Sequence, residues 1–256
     1  MEECKTTKNG RIGETIINYQ GEEMIIIEYN NYDNITVQFK STKEIIKTTY
    51  SNFNNGKIKS HFSPTVYGIG TTGITQVNNE DGKVLDSYEY WKQMLRRCYS
   101  AKFQEKYPTY IGCTVSEEFK TYDNFKKFYD ENYYEILELG HTELDKDILH
   151  KNNKTYSKDN CIFIPQTINK LFTKRQNDRG DLPIGVSLSG KKYRVRCCVE
   201  NGESQYLGTF ITPDIAFNVY KEFKENLIKR LANEYKNQIP VKLYEALMNY
   251  IVEITD

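Results

Sequence analysis

LDKDILHKNNKTYSKDNCIFIPQTIN, residues 144–169, places two aspartates on a short apolar run, then a polar loop, then a second apolar run that Asn160 opens. ELDKDIL reads as a strand, HKNNKTYSKDN as a loop, CIFI as a returning strand, and PQTINKLF as a helix with Pro165 near its first turn. Side chains alternate along a strand, so Asp145 and Asp147 are expected on one face. Asn169, about one turn into the helix, is placed to point at the same spot. Carboxylate and amide oxygens suit Mg²⁺ or Mn²⁺, and such an ion polarises a phosphodiester and stabilises its leaving oxygen. The same residue types are also ordinary turn formers, so the spacing alone is compatible with a plain hairpin.

Upstream the hydrophobic period is helical. SYEYWKQMLRRCYS, from Ser87, sets Trp91, Met94, Leu95 and Cys98 at i, i+3, i+4 and i+7, with Lys92, Arg96 and Arg97 off the stripe. SEEFKTYDNFKKFYDENYY (116–134) reads as a second helix capped by Ser116, with Phe119, Phe125, Phe128 and Tyr129 inward. Further back, 13–72 reads as β-structure. MIIIEY (24–29), ITVQFK (35–40) and IIKTTY (45–50) are separated by turns, and Ile35, Val37 and Phe39 alternate with Thr36, Gln38 and Lys40. A small barrel or curled sheet is expected there. GIGTTG (68–73) has no following Lys-Ser/Thr, so it reads as a flexible junction and not as a phosphate loop.

Downstream, TKRQNDRGDLP (173–183) reads as a basic linker or a loop that contacts a nucleic-acid backbone. GVSLS, KKYRVRCCVE and QYLGTF then return to β-structure. On the middle run Tyr193, Val195, Cys197 and Val199 face one way, and Lys192, Arg194 and Arg196 the other, which makes a one-sided basic strip. Thr212-Pro213 has the cap-then-proline order of a helix start, and Ala216, Val219, Tyr220, Phe223 and Leu227 form its apolar side. Pro240 begins a last helix.

With 35 basic and 35 acidic residues among 256, overall charge argues for no partner class, and any nucleic-acid contact requires local sorting of the cations. The six cysteines include no C-x-x-C pair, and the adjacent Cys197 and Cys198 point to opposite faces of a strand, so free thiols in a reducing compartment are expected. No charged-then-apolar leader and no membrane-length apolar run is present. The expectation is a soluble, cytoplasmic protein with no membrane partner.

The central stretch resembles the HNH nucleases of phages and mobile introns, which have a ββα-metal fold. That resemblance implies Asp145 or Asp147 as the metal acid and Asn169 as the helix ligand. It also makes Asn160 the structural amide that stabilises the hairpin and orients the base, with Mg²⁺ or Mn²⁺ as cofactor. The histidine that the family places beside the acid is absent. Lys146 occupies its place, and His150 lies three and five residues beyond the two acids. His150 is the first candidate base, His141 the second and Lys146 the third.

The segment 185–232 resembles the plant Apetala/ethylene-response-factor DNA-binding domain. Gly185-Val186, the basic strand 191–196, Leu207-Gly208-Thr209-Phe210 and Ala216 carry the likeness. It implies a three-stranded sheet laid in the major groove of double-stranded DNA with a helix behind, and contacts from Lys191, Lys192, Arg194, Arg196 and Tyr206. The expected fold is α+β in three parts: a β-barrel-like module at 1–72, a helical and HNH-like part at 73–183, and an Apetala-like domain with a final helix at 184–256. The expected activity is homing-type nicking or cleavage of DNA in a phage-infected cell. The rival expectation is a DNA-binding protein on a degenerate nuclease scaffold, acting as a regulator, a host-factor antagonist or a phage structural component.

Overall fold

Ile35, Val37 and Phe39 are all fully buried in the computed structural model, which describes residues 10–173, 180–200, 202–254 and 256. They lie on β3 (Asn34–Phe39), the third strand of an antiparallel meander with β1 (Thr15–Ile17), β2 (Glu23–Asn31) and β4 (Ile45–Thr48). Met24 and Ile26 on β2 join the same core, and Phe53 on the short helix α1 (Tyr50–Asn54) covers it. At about 1.5–3 kcal/mol per buried side chain, this apolar layer drives the module's folding. The sheet is open, in the order β1-β2-β3-β4, where a barrel-like closure was expected. The outer strands have three and four residues, too short to curl round and pair with each other.

The chain divides into two compact units, Met1–Lys127 and Phe128–Asp256, and is α+β. In the first unit the expected helix forms as α2 (Asp86–Tyr99), followed by α3 (Ala101–Lys106). Trp91 is fully buried and donates its indole Nε1–H to the Phe119 carbonyl at 2.8 Å, which satisfies the one polar atom of the ring. After the two-residue strand β5 (Thr114–Val115), the helix expected from residue 116 begins later. Ser116 opens only a 3₁₀ turn, and α4 spans Tyr122–Asn132. Phe119, Phe125 and Phe128 are buried as their spacing required.

The GIGTTG segment is packed, not the loose junction its composition suggests. Gly70 lies against Trp91 and Leu95, and Gly73, at φ +67°, leaves no room for a Cβ beside the Asp123 carboxylate. Asp123 accepts N–H bonds from Thr75 at 2.8 Å and Ile74 at 3.1 Å. Burial pushes its carboxyl up, but the Thr75 hydroxyl and the two N–H groups outweigh this and hold it below the usual carboxylate range. A depressed pKa contributes stability above the unfolded value and loses it as pH falls through the folded one. Asp123→Ala should cost about 1–3 kcal/mol near neutrality. The melting-temperature gap to wild type should then shrink as the pH drops from 7 to about 2; a gap constant across that range refutes the assignment.

In the second unit, β6 (Thr142–Asp145) pairs antiparallel with β8 (Ile162–Pro165), with the two-residue strand β7 (Thr155–Tyr156) between them in the chain. One turn of helix, α5 (Gln166–Asn169), follows and tightens into a 3₁₀ turn over Lys170–Phe172. A second sheet, in the order β11-β10-β9, is built from β9 (Val186–Ser189), β10 (Lys192–Cys198) and β11 (Ser204–Phe210). The long helix α6 (Pro213–Glu234) packs on it, and α7 (Val241–Met248) packs on α6. Thr212 caps α6 by accepting the Ile215 N–H at 3.3 Å, as the Thr-Pro pair predicts. Gly185 stands at φ +75° against the Tyr220 ring, where any Cβ would collide. Residues 174–179 of the basic linker and Cys4 lie outside the described residues.

Candidate functional site

The strand expected across 143–149 stops at Asp145. Its Oδ1 accepts the backbone N–H groups of Asp147 and Ile148, both at 2.7 Å, and the chain turns away. Asp147 is therefore not on a strand face. The turn that the Asp145 carboxylate organises overrides the two-residue alternation. Asp145 and Asp147 nevertheless both line one cleft of about 180 Å³, together with Asn169, Lys151, Thr173 and Tyr250. Among the described residues, Oδ2 of Asp145 and Oδ1 of Asn169 accept no hydrogen bond. Desolvation pushes the Asp145 carboxyl up, and the nearby Asp147 charge adds to it.

Asn169 is oriented by a residue the sequence reading did not single out. Glu143 Oε2 accepts the Asn169 Nδ2–H at 2.5 Å, which leaves the amide oxygen as the free donor atom. Glu143 is two positions before Asp145 on β6, so strand alternation alone could have revealed it. The same carboxylate meets His141 Nε2 at 3.1 Å and Gln166 Nε2 at 3.4 Å. His141 is exposed and four strand residues from Asp145, roughly 13 Å at a 3.3 Å rise.

Asn160 does not line the cleft. Its amide Nδ2 donates to Asn153 Oδ1 at 3.2 Å and to the Thr155 carbonyl at 3.3 Å. Asn153 in turn donates to the carbonyls of Lys146 and Thr155, both at 2.8 Å. The two amides tie the loop beneath the acids, which is a structural role. Lys146 is buried, its ammonium paired with Asp147 Oδ1 and 5.8 Å from the Tyr156 ring centre. His150 is exposed and is not among the cleft residues. None of the three candidate bases therefore lines the cleft.

The far wall was also missed. Lys151 Nζ donates to the Ile251 carbonyl at 2.7 Å and to Asp256 Oδ2 at 2.9 Å, and it sits 4.5 Å from the Tyr250 ring centre. Tyr250 O–H donates to the same Asp256 oxygen at 3.2 Å. These partners are about a hundred residues apart in sequence, and no local pattern links them.

Two carboxylates and an amide oxygen form a hard-oxygen set of the kind Mg²⁺ or Mn²⁺ accepts, and the unengaged Asp145 and Asn169 oxygens fit such an ion. Among the described residues no three His, Cys, Asp or Glu side chains cluster as metal ligands, so the candidate set depends on the amide.

The second candidate surface is the outer face of the sheet. Val195 and Cys197 are buried under α6, with Tyr193 and Val199 packed at the margin, while Lys192 and Arg196 are exposed and Arg194 half-buried. Lys191 is exposed in the β9–β10 turn. Arg194 donates to Ser189 Oγ at 2.7 Å, which steadies its guanidinium. A register shift after Val195 sets Arg196 opposite Tyr206, whose hydroxyl lies 2.8 Å from Thr209 Oγ1. The three strands contain no Asp or Glu, so no carboxylate on them offsets these cations.

Compared with protein-family models, with curated proteins and with solved structures, the chain matches none. Among the described residues no helix is long and apolar enough to cross a membrane.

Proposed function

We propose that the protein is a DNA-binding, metal-dependent endonuclease of the HNH type, of phage origin, which nicks or cleaves phosphodiester bonds. The convergence of Asp145, Asp147 and Asn169 on one cleft carries this reading. Those three side chains would hold Mg²⁺ or Mn²⁺. The bound ion supplies Lewis-acid polarisation of a phosphodiester and stabilises the leaving oxygen. The protein's own part is orientation: Glu143 fixes the Asn169 amide, and the backbone N–H groups of Asp147 and Ile148 fix the Asp145 carboxylate. Lys192, Arg194, Arg196, Lys191 and Tyr206 would engage double-stranded DNA, phosphates by charge and guanine edges by arginine. Supercoiled plasmid incubated with the protein and Mg²⁺ or Mn²⁺ should convert to nicked circles, and chelation should stop it.

A second reading is a DNA-binding protein that no longer cuts. One observation favours it: no candidate base lines the cleft, and a general base must come within about 3 Å of the proton it takes, directly or through one water. Duplex binding without nicking under any divalent ion selects this reading.

A further inference from the structure

Helix α6 carries an ammonium where its buried stripe calls for an apolar side chain. Ala216, Tyr220, Lys224, Leu227, Ile228 and Leu231 follow one another along the inward side, and Lys224 is only 5% exposed. Among the described residues no carboxylate forms an ion pair with it, and its electrostatic neighbours are the thiols of Cys197 and Cys198. Burying an unpaired ammonium is costly, and desolvation holds the Lys224 pKa below the usual lysine range. An anion beside it would offset that cost.

The structure has room for one. β10 runs on to Cys198, past the point where its pairing with β9 ends at Val195↔Val186. Beside that overhang lies a groove of about 560 Å³, and Lys224, Arg196 and Lys170 all line it, with the hydroxyls of Ser187, Ser204 and Thr173. The Arg196 backbone N–H donates to the Gly185 carbonyl at 3.0 Å, but its guanidinium makes no hydrogen bond or ion pair among the described residues. Lys170 donates to Gln166 Oε1 at 3.0 Å, an uncharged acceptor that leaves its charge uncancelled. Among the described lining residues the carboxylate is Glu200, which Arg230 Nη2 binds at 2.5 Å, and that partner holds its pKa down.

We propose that this groove is an oxyanion site of the phosphate class, seated between Lys224, Arg196 and Lys170. It takes a backbone phosphate when the protein is on DNA; that last clause rests on the DNA-binding reading above, whereas the anion site does not. The groove exceeds the volume of a lone phosphate, so it accommodates the nucleotide that carries one. Its place suits this use. Lys170 and Thr173 come from the segment just after Asn169, and Arg196 comes from the cationic sheet face, so a phosphate here would bridge the sheet and the acid cleft within one unit.

Inorganic phosphate is the first probe and duplex DNA the second. At matched ionic strength, phosphate should raise the melting temperature of the wild-type protein above its value in chloride. Lys224→Met should abolish that rise, and so should Ser204→Asp, which adds a negative charge at an exposed rim position without touching the helix core. On duplex DNA, Lys224→Met should flatten the slope of log K against log salt by about 0.9, the loss of one phosphate contact. If Lys224→Met does not fold, Ser204→Asp decides the phosphate arm. A phosphate effect lost in the variants, in a protein that binds no duplex, keeps the anion site and removes the DNA reading. Duplex binding with an unchanged salt slope in Lys224→Met, and phosphate that stabilises wild type and variants equally or none of them, overturns the inference and leaves the DNA reading standing.

Discussion

Asp147→Ala should eliminate the proposed metal-dependent plasmid nicking and leave duplex affinity within about twofold of wild type. The carboxylate lines the cleft but lies in a turn, half exposed, and among the described residues its side chain is tied only to Lys146. Its removal leaves the turn organised by Asp145 in place but takes a carboxylate partner from the buried Lys146 ammonium, so the melting temperature is read beside activity. Loss of a metal-held charge worth several kcal/mol in the transition state corresponds to about a thousandfold or more in rate. Asp145→Ala is the less clean test, because the same carboxylate accepts two backbone N–H groups and its loss would also unfold the turn. Nicking rates of Asp147→Ala and wild type, with a gel-shift titration of each, check the prediction. Residual nicking near the wild-type rate removes Asp147 from the site.

Charge reversal at Arg194 and Arg196 is the second large effect. Each arginine that contacts a phosphate or a guanine edge contributes about 1–3 kcal/mol to binding. The double variant Arg194→Glu, Arg196→Glu should lose at least that for each position, and its salt dependence should become shallower because fewer counterions are released. Arg194 is half-buried and Arg196 exposed, whereas Val195 and Cys197 form the buried layer, so the substitutions leave that layer's own side chains in place. Far-UV circular dichroism and melting temperature should match wild type. Unchanged affinity with an unchanged salt slope would remove this face as the DNA reader. Nicking should fall in step with binding, whereas in Asp147→Ala the two separate.

Much of the architecture was legible because its causes are local. Alternation on β3 and β10, the i, i+3, i+4, i+7 stripe around Trp91, and the Thr212-Pro213 helix start each appear in the structure within a residue or two. These features follow from side-chain direction and capping, which depend on near neighbours in sequence. The order strand, loop, strand, helix over 142–172 was equally readable.

The sequence by itself determined which residues alternate, which are capped, and that the acids and the Asn169 amide fall on adjoining elements of one hairpin–helix unit. Alternation alone missed the turn at Asp145, a local effect in which two short N–H bonds to its own carboxylate took Asp147 off the strand. Tertiary structure decided the rest. Short outer strands left the N-terminal sheet open. The Glu143–Asn169 bond, the Lys151–Asp256 wall and the groove around Lys224 join residues from 26 to over a hundred positions apart. Periodicity reports which face a residue presents, while the partner that face meets is set by how the whole chain packs.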